Sequence, residues 1–175
     1  MKVTGSQLRK ALVKYALRRD QAVKTFEENI YAFKDEHHPD LKLVSKYLYD
    51  TMAAIAFIQT AQQEFNSKVF VQIGGQAVSL AVAIKMKAGI GRLKGLWDSA
   101  YGNPSDQFMG LRRARGISPK RREKDQEEQV RTVSTEAISE EVERLSMLMT
   151  EVQDAIASGN SQSAEVAIDA DLLDG

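Results

Sequence analysis

The chain of 175 residues contains no cysteine. That removes disulfide frameworks, thiolate zinc sites and thiol nucleophiles. Histidine is scarce as well, with two in the chain, adjacent at His37 and His38. A serine triad needs an imidazole poised beside a buried carboxylate, and two neighbouring histidines in one polar stretch do not suit it. Long apolar runs are missing too. The best candidate, Met52 to Ile58, falls well short of the roughly 20 residues that cross a bilayer and has polar flanks. The start, Met1-Lys2-Val3-Thr4-Gly5-Ser6, lacks the apolar core of a secretory signal. The expectation is a cytoplasmic protein with no membrane span.

What remains is 43% hydrophobic and 27% charged, which sets the chain apart from disordered and membrane classes. Its length fits one domain of roughly 100–200 residues. The formal net charge of zero hides a polarity. Lys85, Lys87, Arg92, Lys94, Arg112, Arg113, Arg115, Lys120, Arg121, Arg122 and Lys124 crowd the middle, opposed there by Asp98, Asp106 and Glu123. From Asp125 onward acids dominate, and the basic residues are Arg131 and Arg144. Such asymmetry fits a nucleic-acid surface beside an acidic tail, head-to-tail self-association, or neutralisation within one monomer.

Apolar periodicity is the strongest positive signal. Leu8, Leu12, Tyr15, Arg19, Ala22, Phe26, Asn29 and Phe33 alternate steps of four and three, and so do Ile138, Val142, Leu145, Met149, Val152 and Ile156. Such spacing keeps one seam turned toward a packing partner. Thr4 with Gln7 predicts a capping box opening a helix over 6–33. A second apolar line there, Val13, Leu17, Val23 and Ile30, predicts cover on more than one face. Pro39 and Asp40 suit the start of a second helix over 40–65, with Leu41, Val44, Leu48, Met52, Ile55 and Ile58 inward. Its stretch from Met52 to Ile58 is apolar all round, the mark of deep burial or of an oligomer contact.

Asn66-Ser67 reads as a helix stop. Lys68 to Ile73 alternates with β propensity, Gly74-Gly75 signals a turn, and Gln76-Ala77-Val78 reads as the returning strand. Ser79 is a candidate cap for a third helix to about Tyr101, with Leu80, Ile84, Ile90, Leu93 and Trp97 inward. Gly89, Gly91 and Gly95 within that helix predict close backbone approach or a kink. A long basic loop spans 102–125, a length that in a compact domain marks function or mobility. Gln129 to Val133 is a candidate strand. Ser134, Thr135 or Ser139 caps the last helix, and Gly159-Asn160 reads as its stop. Ala164, Val166 and Ile168 alternate as a docking strand would, within an acidic tail over 161–175.

Candidate chemistry is thin. Glu36, His37, His38 and Asp40 carry metal-ligating side chains, but a site needs three or four ligands converging on one point, and a solvated interhelical turn is the better account of them. Gly89-Ile90-Gly91-Arg92-Leu93-Lys94-Gly95 misses the dinucleotide spacing and lies inside a helical pattern, not after a strand. Glu27, Glu28, Glu64 and the acids of the last helix lack the Glu-x-x-His pairs of diiron bundles. The sharpest candidate is Arg112, Arg113, Arg115, Lys120, Arg121, Arg122 and Lys124, a set suited to polyanions, with Tyr101 and Phe108 near enough in sequence to stack on bases. Pairing with the acidic final helix is the competing account.

Several segments together carry a resemblance: Leu8-Arg9-Lys10-Ala11-Leu12, Ile58-Gln59-Thr60-Ala61-Gln62-Gln63-Glu64-Phe65-Asn66, Val78-Ser79-Leu80-Ala81-Val82-Ala83-Ile84, and Val152-Gln153-Asp154-Ala155-Ile156-Ala157-Ser158-Gly159-Asn160. In this order the chain resembles the septicolysin-like helical family of bacteria and their phages. The resemblance implies helical proteins that oligomerise and transfers no catalytic residue. The basic segment and the acidic tail depart from it.

The expectation is therefore a mainly α protein, a bundle of about four long helices over 1–160 with heptad-spaced seams and a small β element. Leu8, Leu12, Phe26, Phe33, Leu145, Met149, Val152 and Ile156 build the seams. The expected role is a non-enzymatic assembly subunit without cofactor or metal, partnered by itself or by a larger complex. Nucleic-acid binding through 112–124 is the alternative.

Overall fold

A computed structural model of the protein describes residues 1–31, 38–101 and 133–174. The protein is mainly α with small β elements. In chain order these are β1 (Lys2–Thr4), α1 (Gly5–Asn29), α2 (Leu41–Lys68), β2 (Phe70–Ile73), β3 (Gln76–Ser79), α3 (Leu80–Ala100), α4 (Thr135–Ser161), β4 (Ser163–Glu165) and α5 (Asp171–Asp174). Among the described residues no helix is long and apolar enough to cross a membrane. The chain forms two compact units, one of Met1–Ala83 with Ala155–Gly175 and one of Ile84–Asp154. The sequence-based boundary at residue 160 groups the chain differently, because the C-terminal residues belong with the N-terminal helices.

Local chemistry sets the helix ends. The Gln7 amide donates to Thr4 Oγ1 at 3.2 Å and the Thr4 amide to Gln7 Oε1 at 2.8 Å, the reciprocal capping box that satisfies two otherwise orphaned donors. Asp40 Oδ1 accepts from the Lys42 amide at 2.8 Å, Ser79 Oγ from the Val82 amide at 3.4 Å, and Ser134 Oγ from the Ala137 amide at 3.1 Å. Helix α1 ends at Asn29, before the expected 33, and Phe33 lies outside the described residues. Helix α2 runs through Asn66-Ser67 to Lys68.

In the first unit α1 packs along α2. The buried line of α2 is Thr51, Ala54, Ile58, Ala61 and Phe65, which alternates steps of three and four. Alanines at buried positions on both helices, Ala11 and Ala22 on α1 and Ala54 and Ala61 on α2, suit close backbone approach. This corrects the expected inward line of α2, because Met52 is 55% exposed. Thr51, though buried, donates its hydroxyl to the Tyr47 carbonyl at 2.7 Å. The second apolar line of α1 is not covered as expected, since Val13 and Leu17 are exposed.

Two antiparallel strand pairs close this unit. β2 and β3 pair Phe70 with Ser79 and Ile73 with Gln76. Gly74 and Gly75 between them take φ of 57° and 75°, the left-handed pair that a tight hairpin turn requires. β1 pairs with β4, Lys2 opposite Glu165 and Thr4 opposite Ser163. The Met1 ammonium donates to the Val166 carbonyl at 2.7 Å, and the Val166 amide returns a bond to the Met1 carbonyl at 2.9 Å. The C-terminal end of α4 enters the same core. Gly159 is buried inside the helix and does not end it. A Cβ there would lie 2.8 Å from Val71 Cγ1 and 3.0 Å from Leu80 Cδ1.

The second unit holds the remainder of α3 and α4. Ile90, Ile138, Leu145 and Val152 are buried. Ile84 and Leu93, expected inward on α3, are 40% and 42% exposed. The three glycines of α3 do not mark close approach. A Cβ on Gly89 or Gly95 would meet nothing among the described residues, and one on Gly91 would reach Met149 Cε at an ordinary 3.5 Å.

Candidate functional site

The outward face of α2 is the feature that the fold leaves unexplained. Tyr49, Met52, Ala53, Ala56, Phe57 and Thr60 follow the steps three, one, three, one and three, which place them on one side of a helix. Tyr49 is 74% exposed, Met52 55% and Phe57 66%. This face lies opposite the line buried against α1. The apolar stretch Met52 to Ile58 is thus two half-faces. Ala54 and Ile58 are buried, while Met52 and Phe57 stand in solvent. The side chain of Thr60 bonds to the Ala56 carbonyl at 3.0 Å, which removes its hydroxyl from competition for water.

The seam residues fall differently. Leu8, Leu145 and Val152 are fully buried within the single chain, while Leu12, Phe26, Met149 and Ile156 are half-buried. Those fully buried side chains have no surface left to offer a second copy. The exposed apolar residues that have such surface, Met52 and Phe57, lie in the stretch for which deep burial and an oligomer contact were both left open, and Tyr49 precedes it. The signal was present: Tyr49, Met52, Ala53, Ala56 and Phe57 form a second amphipathic line inside a segment already noted as apolar all round.

Arg112, Arg113, Arg115, Lys120, Arg121, Arg122 and Lys124 lie outside the described residues, as do Glu36, His37 and the candidate strand up to 132. Among the described residues no group of three His, Asp or Glu gathers as a metal site would require. An open groove of about 330 Å³ runs between α1 and α2, lined by Arg18, Gln21, Ala22, Thr25, Leu43, Val44 and Tyr47. The Arg18 guanidinium lies 5.2 Å over the Tyr15 ring, and among the described residues no carboxylate lines the groove.

Electrostatics is organised at two places. Arg144 grips Glu141 with two bonds of 2.8 and 2.5 Å, and this contact holds the carboxyl below its ordinary range. Glu64 accepts from Lys68 Nζ at 2.6 Å and from the Ala167 amide at 2.9 Å, while Lys68 also donates to the Glu165 carbonyl at 2.8 Å. The Lys68 bond first, and the Ala167 amide second, hold the Glu64 carboxyl below its ordinary value. The cluster fastens the segment after β4 onto the end of α2.

Comparison of the chain with family models, with curated proteins and with solved structures finds no match.

Proposed function

We propose that the protein is a non-enzymatic assembly subunit that self-associates through the outward face of α2. The observation that carries this reading is the stripe of Tyr49, Met52 and Phe57, each more than half exposed on one helical face. Burying a side chain such as Phe57 contributes about 1.5–3 kcal/mol, and aromatic residues with large apolar neighbours form the centres of interfaces. A helix of this kind meets its own copy about a two-fold axis, so the same patch serves both subunits. The resemblance to the septicolysin-like helical family points the same way.

The test is the mass in solution, by light scattering at high salt, of the native protein and of Phe57→Glu combined with Met52→Glu. The native protein is expected to be an oligomer and the variant to fall to the single-chain mass with its helicity kept. A native protein already at the single-chain mass, or a variant of unchanged mass, would overturn the reading.

A further inference from the structure

A second pair of exposed helical faces match one another. On α1, Lys10, Leu17 and Lys24 are spaced seven apart. On α4, Glu140, Met147 and Asp154 are spaced seven apart. Residues at heptad spacing fall along one side of a helix. Each line therefore carries charge, apolar residue and charge in the same spacing with the signs reversed. The apolar centres are open: Leu17 is 60% exposed and Met147 63%. Val13, 54% exposed, widens the centre on α1.

The surroundings keep to one sign around Lys10 and Leu17 on α1, and α4 is predominantly acidic. Between Gly5 and Arg19 helix α1 holds Arg9, Lys10, Lys14, Arg18 and Arg19 and no acid. Its next acid, Asp20, is taken by Arg19 at 2.7 Å. On α4, Glu136 and Glu143 extend the acidic line, and the helix's basic residue, Arg144, is held by Glu141. Among the described residues Lys10, Glu140 and Asp154 make no ion pair. Lys24 holds Glu28 at 3.6 Å, an exposed contact of the kind that contributes little and is readily exchanged.

We propose that α1 of one copy docks along α4 of a second copy, Leu17 against Met147 with the lysines and carboxylates paired on either side. The occupant is a second copy because both halves of the match reside in this chain, whose formal charges balance to zero, and because both faces are exposed in the single chain. Unlike the α2 contact, this one joins two different surfaces. It is therefore head-to-tail, and repeats into a ring or a filament. The proposal rests on the reading of the chain as self-assembling and adds a second, ionic contact to it.

Charge reversal tests it. One variant carries Lys10→Glu with Lys24→Glu, the other Glu140→Lys with Asp154→Lys. All four positions are exposed, so both variants are expected to fold. Sedimentation is measured against protein concentration at low salt and at about 1 M salt, where the screening length falls to roughly 3 Å. The native protein is expected to grow in size with concentration at low salt and to lose that growth at high salt. Each variant alone loses the growth, and an equimolar mixture of the two regains association. Growth that survives either reversal, a mixture that does not regain association, or a native size independent of concentration and salt would overturn the proposal. The high-salt mass reports the α2 contact separately. A high-salt mass left unchanged by Phe57→Glu with Met52→Glu, while the salt-sensitive growth is present, sinks the α2 reading alone. The opposite pattern sinks the ionic contact alone.

Discussion

Glycines in two regions of the molecule do opposite work. In the first unit, Gly5 and Gly159 sit where neighbouring atoms leave no room. A Cβ on Gly5 would lie 2.5 Å from Asn160 Oδ1, 2.8 Å from Phe65 Cε1 and 3.2 Å from Asn160 Cα. One on Gly159 would press on Val71 and Leu80. In the second unit, Gly89 and Gly95 interrupt α3 with no described atom close to either. The clustered glycines draw attention in the sequence, yet the scattered ones carry the packing. Glycine marks close approach only where two elements meet, and sequence spacing along one helix does not reveal that meeting.

The largest effect should come from filling the tight sites. Gly159→Ala places a methyl against a strand valine and Leu80, and overpacking of this kind costs about 1–3 kcal/mol. Some of that is offset by alanine's better helix propensity, about 1 kcal/mol. Gly5→Ala has less offset, since it opens its helix and meets backbone as well as side chain. Thermal or urea unfolding of both variants should show net destabilisation, with Gly5→Ala the worse. A stabilised Gly5→Ala would break the comparison.

Gly89→Ala and Gly95→Ala should act the other way. With no described atom near the new methyl, the helix-propensity gain of about 0.5–1 kcal/mol stands alone. Each variant should unfold at a higher temperature than the native protein, by a few degrees at most. If Gly95→Ala destabilises as much as Gly159→Ala, the two regions are alike and the contrast fails.

What the sequence made legible follows the same division between local and remote causes. The Thr4–Gln7 capping box, the Asp40 and Ser79 caps and the Gly74-Gly75 turn were readable, and the last cap was narrowed to Ser134, Thr135 or Ser139, because each is satisfied by atoms within a few residues. The inward face of α2 was not. Between Met52 and Ile58 apolar side chains surround the helix, so periodicity gives no phase. The phase is set instead by Thr51, Ala54 and Ala61 on the side toward α1. Reading large residues as core selected Met52, which is exposed. On α3 the same preference correctly chose Leu80 but also Ile84 and Leu93, and passed over Ala83, which is fully buried. The candidate site suffered most, because Tyr49, Met52 and Phe57 are recognisable as a surface only after α1 has taken the other side of α2.

The smallest expected effect tests how the C-terminal segment is held in the first unit. Glu64 reaches from α2 to the Ala167 amide, and Lys68, one turn on, reaches the Glu165 carbonyl. The groups acting on the Glu64 carboxyl are Lys68 on its own helix, the Ala167 amide after β4, and the Met1 ammonium before β1. These groups favour the charged form and outweigh the partial desolvation that opposes it, so its folded pKa lies below its unfolded one. Its stabilisation is therefore complete above the unfolded value and is lost as pH falls through the folded value. In Glu64→Gln the side chain still accepts a bond from Ala167 but carries no charge for Lys68. The difference in thermal midpoint between the native protein and Glu64→Gln should be present at neutral pH and should shrink as the carboxylate protonates in acid. Glu141, whose pKa Arg144 also lowers, titrates in both proteins and cancels from the difference. A midpoint difference that stays constant from neutral pH into acid would show that the charge on Glu64 does not hold the tail, and that the backbone pairing of β1 with β4 suffices.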